Sequence, residues 1–323
     1  MPDSETKLAA VDIPWASFCM STYKRPDFLK RQLGKLLGQD YTNYEIIVSD
    51  NDPAQSAKLI VDYFNDTRIK YHPNQENIGM IKSYNRSIDR ACGKFVVMIT
   101  DDDPVEGDFL TMFFEVEKKH PGYSLYGGFG RIGKREMEVE VINKDNFLCE
   151  MLDPRKTNNI LWSSCLVNRL DLMQIGKLPD YGSPHLFDHA MLAMAGSING
   201  AVIMNKMYST YILHNANFSK SNFNLYYLSC TGFFDVMSTF CANKPNTHKN
   251  LKIVKKHLAN WFIINYFSLK KYFSSNEQFN ETKLNEIKEL ARRILGLKFM
   301  KPIRERFYFK TLIFHIKKKV GVI

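Results

Sequence analysis

A chain of 323 residues with 45% hydrophobic and 24% charged side chains is globular and long enough to bury a sizeable core, which sets aside fibrous and disordered classes. The net charge of +10 is unevenly held: residues 244–323 carry 19 Lys/Arg against 5 Asp/Glu, whereas residues 1–243 carry 25 against 29. The opening MPDSETKLAAVDIP lacks the basic and apolar regions of a secretory signal, and no apolar run approaches the ~18–20 residues that span a bilayer, so a cytoplasmic protein is expected.

Four short apolar runs punctuate the first hundred residues: WASFCM (15–20), YEIIVS (44–49), RIKYH (68–72) and KFVVMI (94–99). Between them, apolar residues recur at helical spacing, as in Phe28–Leu29–Leu33–Leu36–Leu37, Ala57–Ile60–Val61–Phe64 and Ile81–Tyr84–Ile88. The alternation predicts a βαβαβαβ layout and an α/β fold with a mostly parallel central sheet. Beyond residue 104 the spacing predicts a helix at 109–119, a Gly-rich hairpin at 126–142, a mixed stretch to 224, and helices near 225–241, 251–273 and 283–295. Six scattered cysteines, with no C-x-x-C and no zinc-like Cys/His spacing, read as reduced core thiols.

In such sheets ligands bind beyond the carboxyl ends of the strands. Here those ends read STYKRPD (21–27), DNDP (50–53) and DDDP (101–104), so three polar clusters share one edge. Three adjacent carboxylates repel one another unless a cation neutralises them. Mg²⁺ or Mn²⁺, held by one or two carboxylates plus phosphate oxygens, meets that need and points to a diphosphate ligand. The alternative for a bare D-D-D is a solvated acidic turn.

CMSTYKRPDFLKRQLGKLLGQDYTNYEIIVSDND, followed by NQENIGMIKSYNRSIDRACGKFVVMITDDDP, resembles the nucleotide-sugar-binding half of family-2 glycosyltransferases with the GT-A fold. The resemblance covers residues 15–112 well and 120–220 more weakly, and does not reach the C-terminal helices. It implies a GT-A domain over 15–224, with a nucleotide-sugar half at 15–112 and an acceptor half at 113–224. A polar N-terminal segment (1–14) would precede it and a basic helical region (225–323) would follow. By the same resemblance Ser21 and Tyr23 lie against the nucleotide base, and Arg25 belongs with them in the donor site. Asp50 hydrogen-bonds a uracil ring, or serves thymine in the same way. Asn77 and Gly79 form the N-x-G stretch, while Lys82 and Asn85 meet phosphate or ribose. Asp101 reaches the ribose or donor sugar, and Asp102 or Asp103 ligates the metal. The family's commoner D-x-D-D is here Thr100 followed by three aspartates, which leaves the choice of metal ligand open. Read without the family, Tyr23 caps the sheet, Asp50 caps the following helix, and Asn77 with Gly79 makes an ordinary turn.

Inverting glycosyl transfer needs a base for the acceptor hydroxyl. GKLPDYGSPHLFDHAMLAMAG (176–196) resembles the family segment in which an acid opens a helix, and Asp188 falls at the matching place, with His185, His189 and Asp180 as substitutes. A carboxylate in the first helical turn also suits the helix dipole alone. His214 matches a family histidine near metal and diphosphate, and Trp162, Ser163 and Ser164 are candidates for an acceptor-pocket lining. The tail, 298–323, interleaves eight Lys/Arg with apolar residues. It reads either as an interfacial anchor on an anionic membrane surface or as a helix packed on protein. The expectation is thus a metal-dependent (Mn²⁺ or Mg²⁺) inverting transferase taking a nucleotide-diphosphate sugar, expected to be a UDP-sugar, and a glycan or lipid-linked acceptor. No nucleic-acid partner is expected, and the enzyme would sit in the cytoplasm or peripherally on the inner membrane face. The alternatives are a nucleotidyltransferase or phosphohydrolase using Mg²⁺, and a non-catalytic sugar-nucleotide-binding protein.

Overall fold

The computed structural model describes residues 13–210, 212, 222–275, 281–305, 307, 308, 310 and 311. The first half alternates strand and helix: β1 (Ala16–Thr22), α1 (Pro26–Leu37), β2 (Tyr44–Asp50), α2 (Lys58–Phe64), β3 (Ile69–Pro73), α3 (Met80–Arg90) and β4 (Phe95–Ile99). α1 starts on Pro26, where a missing N–H costs nothing and the fixed φ suits the first turn. β1, β2 and β4 are covered on both faces, while β3, at the sheet edge, is half-exposed. Phe18, Met20, Phe95, Val97 and Ile99 pack with Leu29, Leu33, Phe109 and Phe113 on one side. Cys19, Val96 and Met98 pack with Ile81, Tyr84 and Ile88 on the other.

The second half adds α4 (Phe109–Lys119), β5 (Leu125–Arg131), β6 (Val139–Ile142), α5 (Lys144–Leu152), β7 (Thr157–Asn168), α6 (Arg169–Gln174), α7 (Phe187–Asn199) and β8 (Ala201–Met204). All eight strands form one sheet in the order β3-β2-β1-β4-β7-β5-β8-β6. β7 pairs antiparallel with β4 and β5, and β6 pairs antiparallel with β8. The expected hairpin at 126–142 does not form. β8, with all four residues buried, inserts between β5 and β6, so β5 pairs with β8 and β7 instead. The strand order reverses at the β1/β4 junction, which opens a crevice beyond Thr22 and Ile99. Five of the six cysteines are buried, all six are free thiols, and Cys92 is exposed.

Three helices follow: α8 (Tyr226–Ala242), α9 (Thr247–Ser275) and α10 (Glu281–Gly296). They share one continuous core with α5 and α7, through residues such as Phe147, Met191, Phe233, Leu258, Phe262 and Ile294. Within the tail, Phe307 is buried and lies against Phe262 and Tyr266, so the described part of 298–311 packs on α9. Residues 312–323 lie outside the described residues. No described helix is long and apolar enough to cross a membrane.

α9 is also pinned by polar contacts. Lys256 Nζ lies 2.7 Å from Asp153, and the His257 ring spans from the Leu152 carbonyl (3.1 Å) to the His189 ring (2.8 Å). Burial, reinforced by His189, pushes the His257 imidazole down to about 3 from its ordinary 6.5. The unfolded chain therefore takes up a proton near pH 6.5 that the folded chain refuses until far lower pH. This stability is complete above pH 6.5 and declines as pH falls, by roughly 1.4 kcal/mol per unit at most. Urea unfolding should show a lower midpoint at pH 5 than at pH 7, and His257→Leu should shrink that difference. An equal slope in the variant would assign the acid sensitivity elsewhere.

Candidate active site

The crevice at the β1/β4 junction holds the acidic triplet. β1 ends at Thr22, and its hydroxyl donates to Asp101 Oδ2 at 3.0 Å. Arg25, just before α1, spreads its guanidinium across Asp101 Oδ1 and Asp102 Oδ2, both at 3.2 Å. Gln32, one helical turn pair further on, donates to the Asp103 carbonyl at 2.8 Å. The Ile212 N–H donates to Asp103 Oδ1 at 3.2 Å, bringing the chain that follows β8 against the triplet. Burial pushes the Asp101 carboxyl up, against the pull of Arg25. Burial, with the Asp102 charge beside it, pushes Asp103 up to about 6.

The Arg25 guanidinium thus bridges Asp101 and Asp102, while Asp103 stands beside them in a buried place that disfavours its charge. The donors are all hard oxygens, which suits Mg²⁺ or Mn²⁺. No cluster of three or more ligating side chains occurs among the described residues, so the arrangement fits a metal shared with phosphate oxygens and water rather than an all-protein cage.

A cavity of about 900 Å³ runs from this crevice to α7, within the range of small-ligand sites. Ser21, Tyr23, Arg25, Asn77, Gly79, Lys82 and the three aspartates line its first half. Asp180, Trp162, His185, Asp188 and His189 line the second. Asp188 sits in the first turn of α7, where Oδ1 accepts its neighbour's His189 N–H at 2.9 Å. Its other oxygen has no hydrogen-bond partner among the described residues. Asp180 Oδ1 is turned to the Gly182 N–H. His185 is mostly buried with Nε2 3.4 Å from the Asn222 carbonyl, and burial pushes its imidazole down.

Several sequence-derived residues stand elsewhere. Asp50 is fully buried and does not line the cavity. Its Oδ1 accepts from the Asp52 N–H, and its Oδ2 from the Ala57 N–H and the Tyr71 hydroxyl, so it braces the loop after β2. Its neighbour Asn51 reaches the cavity, donating to Asn77 Oδ1 at 2.7 Å and accepting from the Ile78 N–H. Gly79 precedes α3 with φ +84°, a conformation glycine adopts freely. Asn85 exchanges both of its amide groups with the Leu178 backbone and so ties α3 to the loop before α7. Ser163 and Ser164 are buried against Ser209 and Tyr208 instead of lining the acceptor end. His214 lies outside the described residues.

Three further cavity residues come from outside the β/α region and were not among the expected ones: Leu225, Trp261 and Asn265. Trp261 lies against Tyr226 with ring centroids 4.9 Å apart, and Asn265 donates to the Trp261 carbonyl one turn back. The signal that could have found them is the aromatic run WFIINYF on an otherwise basic helix.

Comparison with known proteins agrees with this architecture. Residues 17–169 match Glycosyl transferase family 2. The chain is 25% identical over 158 residues to the Escherichia coli UDP-Glc:alpha-D-GlcNAc-diphosphoundecaprenol beta-1,3-glucosyltransferase WfgD, a match covering 49% of this chain and 58% of that one. The match therefore spans little more than half the length of that relative. Among solved structures, Staphylococcus aureus TarS 1–349 superposes with TM-score 0.59 at 16% identity, covering 90% of this chain and 82% of that one. The Pyrobaculum calidifontis mannosyltransferase PcManGT, in complex with GDP-Man and Mn²⁺, superposes with TM-score 0.56 at 14% identity, covering 94% and 86%. Residues 17–169, with the crevice of aspartates at the β1/β4 junction, are similar to glycosyltransferase family 2, and the chain has the GT-A fold.

Proposed function

We propose that this chain is an inverting glycosyltransferase that moves a sugar from a nucleotide-diphosphate sugar, with UDP as its nucleotide, to a hydroxyl of a glycan or lipid-linked acceptor. The observation that carries the reading is one cavity with the Asp101–Asp103 triplet and Arg25 at one end and Asp188 at the other. Tyr23, about two-fifths exposed, offers a ring for the base, and Asn51 with Asn77 offers amide groups beside it. Asp101, held by Thr22 and Arg25, is a fixed acceptor for ribose or sugar hydroxyls.

Asp102 and Asp103 would hold a divalent cation, which when bound neutralises charge developing on the leaving diphosphate. Lys82 adds a positive group on the same wall. Asp188 takes the proton of the acceptor hydroxyl as that oxygen attacks the anomeric carbon from the side opposite the diphosphate. Trp162 and Trp261 supply apolar surface at the acceptor end, of the kind that packs on a sugar ring. The named substrate of the E. coli relative supports a diphosphate-lipid-linked sugar as acceptor. The Lys/Arg surplus beyond residue 243 would hold such an enzyme near an anionic membrane surface.

The test is calorimetric titration of UDP, dTDP, GDP and CDP with Mn²⁺ or with chelator, followed by product analysis with the matching sugar nucleotide. Metal-dependent binding of one diphosphate and its release on turnover are expected. Release of pyrophosphate or phosphate would favour nucleotidyl transfer or hydrolysis. Binding of none of the four would sink the donor-site reading.

A further inference from the structure

The cavity wall beside Asp188 contains a feature the mechanism above does not use: two histidine rings in series, His189 on α7 and His257 on α9, joined at 2.8 Å between Nδ1 of the first and Nε2 of the second. Two imidazole nitrogens at that distance need one proton between them. The far end of the chain decides which ring supplies it. His257 Nδ1 lies 3.1 Å from the Leu152 carbonyl oxygen, which can only accept, so His257 carries a proton on Nδ1. The ring is 8% exposed and its imidazole is pushed down by burial, so it holds that single proton and its Nε2 is bare. A bare nitrogen only accepts. The bridging proton therefore belongs to His189 Nδ1.

Neutral His189 then has a bare Nε2. Among the described residues this atom has no hydrogen-bond partner, and it is not among the side-chain nitrogens sealed from solvent without one. His189 lines the cavity, one residue from Asp188 in the first turn of α7.

We propose that His257 fixes His189 in the tautomer protonated on Nδ1, so that a bare imidazole nitrogen stands beside Asp188 and accepts a hydrogen bond from a hydroxyl of the acceptor. This rests on the reading of the cavity's second half as an acceptor site. Asp188 and His189 then form a pair of acceptors for a polyhydroxylated ligand, one anionic and one neutral. His257 touches no ligand and is a positioning residue.

The first arm of the test needs no substrate. Long-range proton–nitrogen correlation spectra of the full chain, labelled with ¹⁵N-histidine and recorded near neutral pH, separate the two tautomers, with His189→Gln and His257→Gln used for assignment. Both rings are expected to show a protonated Nδ1 and a bare Nε2. A proton on His189 Nε2 with a bare Nδ1 would overturn the proposal.

The second arm uses the sugar nucleotide selected by titration and a polyprenyl-diphosphate-linked GlcNAc probe. His257→Phe should raise the acceptor KM about ten-fold, the worth of roughly one hydrogen bond, with donor binding unchanged. His257→Gln, whose carbonyl can still accept from Nδ1, should recover part of the loss. An unchanged acceptor KM in His257→Phe, with the tautomer lost, would refute the role in acceptor binding. No transfer by the parent chain alongside the expected tautomer would instead refute the acceptor assignment, so the two failures can be told apart.

Discussion

Replacing Asp188 with Asn is expected to cut turnover by roughly 10²–10⁴-fold, the range of a lost general base, while nucleoside diphosphate binds as before. The substitution is chosen for what it keeps. An Asn carbonyl still accepts the His189 N–H that Asp188 Oδ1 accepts now, so the first turn of α7 should form unchanged. Only the capacity to take a proton is removed. On the proposed reading the donor binds at the other end of the cavity, around Tyr23, Asn77 and the aspartate triplet, and its binding should be insensitive to the change. Diphosphate release in the presence of acceptor measures the first expectation, and calorimetry the second. Turnover close to the parent's would move the base to His189 or Asp180, which line the same wall.

The second large effect is expected at Asp103. Asp103→Asn should weaken metal-dependent diphosphate binding by about 10- to 100-fold, with any metal-independent binding retained. The side chain is nearly buried, and its Oδ1 accepts the Ile212 N–H, an interaction that an amide carbonyl can reproduce. Removing one of three crowded carboxylates relieves repulsion, so the melting temperature of the metal-free variant should equal or exceed the parent's. Asp101→Asn makes the contrast. Asp101 is the shared partner of Thr22 and Arg25, and its loss should destabilise the crevice itself. Titration of the diphosphate with and without Mn²⁺, beside thermal melts, separates the two cases. A fall in melting temperature for Asp103→Asn equal to that for Asp101→Asn would make Asp103 a structural residue.

The half of the fold built from local alternation was legible in the sequence. β1 to β4 lie within two residues of the expected runs, and β1, β2 and β4 are the clearest because strands covered on both faces read as mostly apolar stretches, whereas edge strand β3 is half-exposed. The Gly-rich segment 126–142 was not legible, because the partner that separates its two strands is β8, some sixty residues later, and pairing at that distance leaves no local pattern. The same limit applies to the site. The aspartate triplet announces itself by its cost, and the helix opening marks Asp188. Asp50 shows an acid at a strand end, but not that Tyr71 and two backbone N–H groups already occupy its oxygens. Asn85 likewise looks available until Leu178 is placed beside it. His257 lies on a helix that no motif reaches, and its meaning depends on a ring 68 residues earlier.

One feature of the architecture bears on how such an enzyme could be re-engineered. α9 is a single 29-residue helix, about 43 Å long at 1.5 Å per residue. Along it lie an ion pair to Asp153, the histidine that meets α7, the Trp261 and Asn265 of the cavity wall, and the ring face that receives Phe307. The region matched by the family, residues 17–169, contains the aspartate crevice but no part of α9, reaching only Asp153, its ion-pair partner. On the proposed reading, donor and acceptor preferences are therefore not cassettes that can be cut at the edge of the matched region. On that reading a graft that exchanges acceptor choice has to carry α7 together with α8 to α10 as one unit, since a foreign α9 would bring its own side chains into the cavity and leave His189 facing a stranger.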